Sequence, residues 1–75
     1  MRRALDPYVE CRAEYSGCDA PVAIHLEEQI LPVRSILREW RTPGLKYYQL
    51  QVEDGRQFQA SLDESTGEWQ ITFIS

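Results

Sequence analysis

Three runs in the second half of the chain alternate apolar and polar residues. Tyr48, Leu50 and Val52 share one parity, followed by Phe58, Ala60 and Leu62, then Trp69, Ile71 and Phe73. Successive side chains of a strand point to opposite faces, so this period of two predicts half-buried antiparallel strands. Opposed residues on neighbouring strands lie on one face, and that requirement sets the turns. A two-residue turn at Asp54-Gly55 would set Val52 against Gln57 and Leu50 against Gln59, mixing amides into the core face. A three-residue loop, Glu53-Asp54-Gly55, instead pairs Val52 with Arg56, Leu50 with Phe58 and Tyr48 with Ala60. Such a loop ends on a left-handed residue, a conformation that Gly55 adopts without steric cost. By the same rule Leu62 pairs with Trp69 and Ala60 with Ile71 across a four-residue loop ending at Gly67.

The first half alternates less cleanly. Residues 1–7 read as a frayed tail ending at Pro7. Val9, Cys11, Ala13 and Tyr15 then alternate with Glu10, Arg12 and Glu14. Gly17, Asp19 and Pro21 mark a loop, and Val22, Ile24 and Leu26 form a second strand with His25 on its polar face. Between residues 33 and 40 two readings compete. Val33, Ile36, Leu37 and Trp40 fall at helical spacing, with Pro32 in the first turn and Thr42-Pro43-Gly44 as the stop. A strand with a bulge at Ile36-Leu37 gives the same pattern, because one extra residue shifts the alternation by one. The strands on both sides favour the bulge. The expected fold is all-β, a small antiparallel roll or barrel of five to six strands, SH3-like or OB-like, with a helical turn at 33–40 as the alternative. Its strands fall near residues 8–15, 21–27, 31–41, 46–53, 56–63 and 68–74.

Seventy-five residues make a single domain, and a chain of this length buries only about 60–65% of its unfolded surface. The net charge of −4 argues against nucleic-acid binding driven by overall charge. The distribution differs from the sum. Arg34, Arg38, Arg41 and Lys46 lie in one stretch whose single acid is Glu39. No apolar run is long enough for a membrane span, and the N-terminus lacks the apolar stretch of a signal peptide. These features predict a cytoplasmic protein with two reduced cysteines.

Chemical motifs are sparse. Cys11, Cys18 and His25 recur every seven residues, but zinc sites use close cysteine pairs and four ligands, and a fourth would have to be an acid such as Asp19. No metal or cofactor is expected. One histidine, no nucleophile placed beside it and no glycine-rich phosphate loop make an enzyme the weaker class. Two surfaces are better candidates. Arg34, Arg38, Arg41 and Lys46 with Tyr47 would form a basic, aromatic groove for single-stranded nucleic acid. Against that, the pattern assigns Trp40 and Tyr48 to the core. The inferred registers also set Gln51 against Gln57, Gln49 against Gln59 and Ser61 against Gln70, with Tyr47 and Thr72 on the same face. Exposed sheets usually carry charges that discourage association. This uncharged face is therefore either an interface, for another protein or a second copy of the chain, or a surface covered by the N-terminal strands. The last strand places Phe73 inward and Ile74 outward beside Gln57.

From Trp40 onward the chain reads as a tryptophan, Tyr47-Tyr48 in an alternating strand to Asp54-Gly55, a second strand ending at Asp63, then Thr66-Gly67-x-Trp69 and an apolar end. This arrangement resembles a small bacterial domain of unknown function. That domain occurs as stand-alone short proteins and as the C-terminal module of inactive Y-family DNA polymerase homologues, the scaffold subunits of bacterial mutagenesis machinery. The resemblance covers about half the chain and carries over no catalytic residue. It implies a non-enzymatic interaction module, accessory to DNA repair.

Overall fold

The computed structural model describes residues 7–12 and 20–75. Within them lie six strands: β1 (Tyr8–Arg12), β2 (Ala20–Leu26), β3 (Gln29–Thr42), β4 (Leu45–Val52), β5 (Gln57–Asp63) and β6 (Trp69–Phe73). Each pairs antiparallel with the next, in one sheet ordered as the chain runs. The sheet curls into a half-barrel, so that β1 comes near β6 without a ladder forming between them. Among the described residues there is no helix, and none therefore long and apolar enough to cross a membrane. Of the expected tail at residues 1–7, residues 1–6 lie outside the described residues, as do the strand end at 13–15 and the loop positions Gly17 and Asp19.

The inner face of the curl holds the core. Tyr48, Leu50, Val52 and Ala60 are fully buried on β4 and β5, and Ile24 reaches them from β2. Val9 and Phe58 complete the cluster, with Leu31, Val33, Leu62, Trp69 and Ile71 packed around it. The N-terminal strands thus cover the inner face and leave the glutamine face open. The inferred registers hold: Leu50 opposes Phe58, Tyr48 opposes Ala60, and Leu62 opposes Trp69. Gly55 has φ 97°, and the Val52 amide donates to the Arg56 carbonyl at 2.9 Å, closing the three-residue loop. Gly67, at φ 77°, ends the four-residue one.

Residues 33–40 are strand, and β3 is bulged twice. The bulge between Ile36 and Arg38 is the expected one; a second lies between Val33 and Ser35, with Arg34 the extra residue. This second bulge corrects the reading of Trp40. One bulge would put Val33 and Trp40 on the same face, and a second returns Trp40 to the opposite side. Trp40 accordingly opposes Tyr47 on the outer face. The Arg34-Ser35 pair carries no apolar side chain to reveal the shift.

The inward placement of Phe73 holds, and the expectation for Cys11 changes. Phe73 opposes Phe58 on the inner face, yet it is 58% exposed because β6 is the last strand. Cys11, which packs on the core as the alternation implies, is disulfide-bonded rather than a free thiol. The chain has one other cysteine, Cys18, outside the described residues.

Candidate interaction face

The Pro43-Gly44 turn joins β3 to β4, with Gly44 at φ 81°. Counting back from it sets Thr42 against Leu45, Arg41 against Lys46 and Trp40 against Tyr47. The last pair, third from the turn, lies on the outer face. The two rings stack nearly parallel, 5.2 Å between centroids and 3° between planes. The Arg38 guanidinium lies 5.1 Å from the Trp40 ring centroid, within cation–π range. Arg38 opposes Gln49 on the same face, so cation, indole and phenol form one row beside the glutamines.

The glutamine rows stand as inferred. Gln51 opposes Gln57, Gln49 opposes Gln59, and Ser61 opposes Gln70. The Gln49 side-chain amide donates to Gln57 Oε1 at 3.1 Å, a diagonal contact that stiffens the row. Next to Tyr47 the surface dips into a shallow groove of about 410 Å³, lined in part by Leu45, Tyr47, Gln59, Ser61 and Thr72. Its lining offers amide and hydroxyl groups together with the carboxylates of Asp63 and Glu68.

The basic stretch does not form one patch. Arg38 and Tyr47 belong to the outer face. Arg41 and Lys46 oppose each other one register step away, which turns both to the other side. The Lys46 ammonium sits 6.0 Å from the ring of buried Tyr48, and Arg41 pairs with Glu64 at 2.8 Å. Arg34 stands apart on its bulge. The proposed nucleic-acid groove therefore loses two of its four cations to the opposite face.

The remaining titratable clusters have structural roles. Arg56 donates through both Nε and its backbone amide to Asp54, and this holds the Asp54 carboxyl below its usual range. The Ser65 hydroxyl and amide do the same for Asp63 in the next turn. On the β1–β2 ladder His25 stacks on Tyr8 at 4.2 Å, and its Nε2 lies 2.9 Å from Glu10 Oε1. That contact ties two neighbouring strands together. His25 engages Glu10 and Cys11 engages a disulfide, so neither is left for the zinc arrangement. Among the described residues no group of three or more His, Cys, Asp or Glu is placed to hold a metal ion.

Sequence reasoning grouped Tyr47 with Arg38 but assigned Trp40 to the core. The signal that would have corrected it was the Pro43-Gly44 dipeptide, taken as a hairpin turn rather than a helix stop. Comparison with protein-family models, curated proteins and solved structures gave no match for the chain.

Proposed function

We propose that the chain is a non-enzymatic protein-interaction module that binds through its outer face. The observation carrying this reading is the Arg38–Trp40–Tyr47 row, which spends large aromatic surface away from the core. Aromatic and arginine side chains dominate binding energy at protein interfaces, and the adjoining glutamines supply donors and acceptors without a charge to desolvate. Arg34 and Arg38 have no carboxylate partner among the described residues, which favours a partner carrying acids or planar groups. The link to DNA repair rests on the resemblance of residues 40–75, and would make that partner a component of the repair machinery.

The test is selection of a displayed random-peptide library on the immobilised native chain, with counter-selection on Trp40→Ala. Binding peptides that lose affinity for the Trp40→Ala variant are expected. Failure to enrich any peptide, or equal binding by both proteins, would sink the reading.

The nucleic-acid alternative keeps the aromatic stack but only Arg38 beside it. Oligonucleotide binding at low salt that falls steeply as salt rises, and weakens in Arg38→Glu, would reinstate it. The expected cytoplasmic location would expose the Cys11 bond to reducing thiols. Alkylation trapping of the chain from intact cells decides the matter: a labelled Cys11 supports the cytoplasm, an unlabelled one an oxidising compartment.

A further inference from the structure

Besides the short start of β2, which carries Pro21, the half-barrel leaves three strand edges without a partner among the described residues, and they differ in how they resist pairing. The edge of β1 is bulged between Glu10 and Cys11 and carries Glu10 and Arg12. The second half of β3 is free on one side, since β2 pairs with it only over residues 29–32. That edge has two bulges and bears Arg34, Arg38, Glu39 and Arg41. Bulges and charges are the usual protections of an edge strand. β6 has neither. Its sequence, Trp69-Gln70-Ile71-Thr72-Phe73, is uncharged, its ladder with β5 is regular, and Phe73 and Ile74 are both exposed.

We infer that β6 pairs with β6 of a second copy of this chain, antiparallel about a two-fold axis at Ile71. The backbone phase fits. Asp63 donates to the Glu68 carbonyl and Gln57 accepts from the Ile74 amide, so the β6 groups of Gln70 and Thr72 point to β5. Those of Trp69, Ile71 and Phe73 point outward. A two-fold axis at Ile71 pairs Trp69 with the second copy's Phe73 and Gln70 with its Thr72. Apolar residues then meet apolar ones and polar meet polar, so the inner faces join and Phe73 gains cover. No like charges meet across the strand pair, which makes the strand self-complementary in a way the other two edges are not. The two-fold β3 alternative would bring arginines together. A pair of five-residue strands buries less than the ~800 Å² per partner of a stable complex. The dimer is therefore expected to form at micromolar concentrations and to dissociate on dilution. It is independent of the Trp40 face.

The experiment is sedimentation equilibrium of the native chain with amide hydrogen exchange on the same samples. A concentration-dependent dimer is expected, with the Trp69, Ile71 and Phe73 amides protected only as it forms. Gln70→Lys/Thr72→Lys places lysines opposite one another twice and should weaken association roughly tenfold. Gln70→Lys/Thr72→Glu creates two opposite-charge pairs and should restore it. Trp40→Ala should leave it unchanged. A native chain that stays monomeric at high micromolar concentration overturns the inference. So does a dimer indifferent to both charge patterns, which would place the contact elsewhere. Protection of the three amides in dilute monomer also overturns it, since β1 would then close the barrel. If the lysine variant does not fold, the Lys/Glu variant and the native exchange data decide.

Discussion

The two faces of the β4–β5 ladder share one backbone but obey different rules. On the inner side Tyr48, Leu50, Val52 and Ala60 are entirely shielded from water. One residue along, Tyr47, Gln49, Gln51 and Gln59 are half-buried; Tyr47 stacks on Trp40 and Gln49 bonds to Gln57. The inner face follows from parity and volume, because each side chain must fill space against β1, β2 and β6. The outer face meets no such demand. Its rings and amides are placed by stacking and cross-strand contacts and not by the filling of a core. The contrast separates the residues that make the fold from those on which the proposed binding function rests.

The sharpest way to break this division is truncation on each side. Leu50→Ala should destabilise the chain by about 2–5 kcal/mol, enough to leave a small domain largely unfolded. Gln49→Ala, its neighbour on the other face, should stay within about 0.5 kcal/mol. Urea unfolding followed by tryptophan fluorescence measures both. A comparable loss at the two positions would mean that the outer face also carries the fold.

The turns hold the two faces in phase, and they give the next effect. Gly55 has open space where a Cβ would stand, with no heavy atom within 4 Å. Its φ of 97° is nevertheless a conformation that L-residues avoid. Gly55→Ala should therefore cost about 1–2 kcal/mol through backbone strain alone. An unaltered midpoint in urea would show that the loop relaxes to another form.

A smaller cost is expected for the outer aromatic pair. Trp40→Ala should lose about 0.5–1.5 kcal/mol, the typical worth of a ring pair beyond its area. Because the partner is Tyr47, the double variant should cost less than the two single changes added. Additive losses would show that the rings do not support each other, and would weaken the case that they form one preorganised surface.

Much of this architecture could be read before any coordinates. The meander of β4, β5 and β6 was legible because apolar parity, the need to pair like faces and two turn glycines all agree on one register. The glutamine rows followed from the same register without a separate signal. β3 was only half legible. A bulge flanked by Ile36 and Leu37 displaces apolar residues and shows in the pattern, whereas one at Arg34 displaces only polar residues and is silent. That silent bulge moved Trp40 between faces, so the centre of the candidate site was misassigned while its neighbours Arg38 and Tyr47 were not. The split of Arg41 and Lys46 from Arg38 has a plainer origin: no bulge lies between positions 38 and 41, so an odd separation along a regular strand turns them to opposite faces. The disulfide at Cys11 was hidden for another reason: cysteine count and spacing do not reveal oxidation state, and the compartment inference pointed the other way.

The smallest expected effect is a pH dependence that acts through the turns and spares both faces. Asp54 is held below its usual range first by the Arg56 side chain and then by the Arg56 amide. Asp63 is held down first by the Ser65 hydroxyl and then by the Ser65 amide. A carboxyl with a lowered folded-state pKa binds its proton more readily in the unfolded chain. Its contribution is therefore complete above the ordinary carboxylate range and is lost as pH falls through and below that range. Both groups lie at the surface, where water screens the contact, so the loss should be a few degrees in Tm at most. Thermal melts of the native chain should be flat at neutral and mildly acidic pH and decline only in strong acid. In Asp54→Asn that decline should be shallower, and in Asp54→Asn/Asp63→Asn shallower still, while peptide binding at the Trp40 face is unaffected. An acid decline identical in all three proteins would move the sensitivity away from the turns, and the turns would then serve the fold by geometry alone.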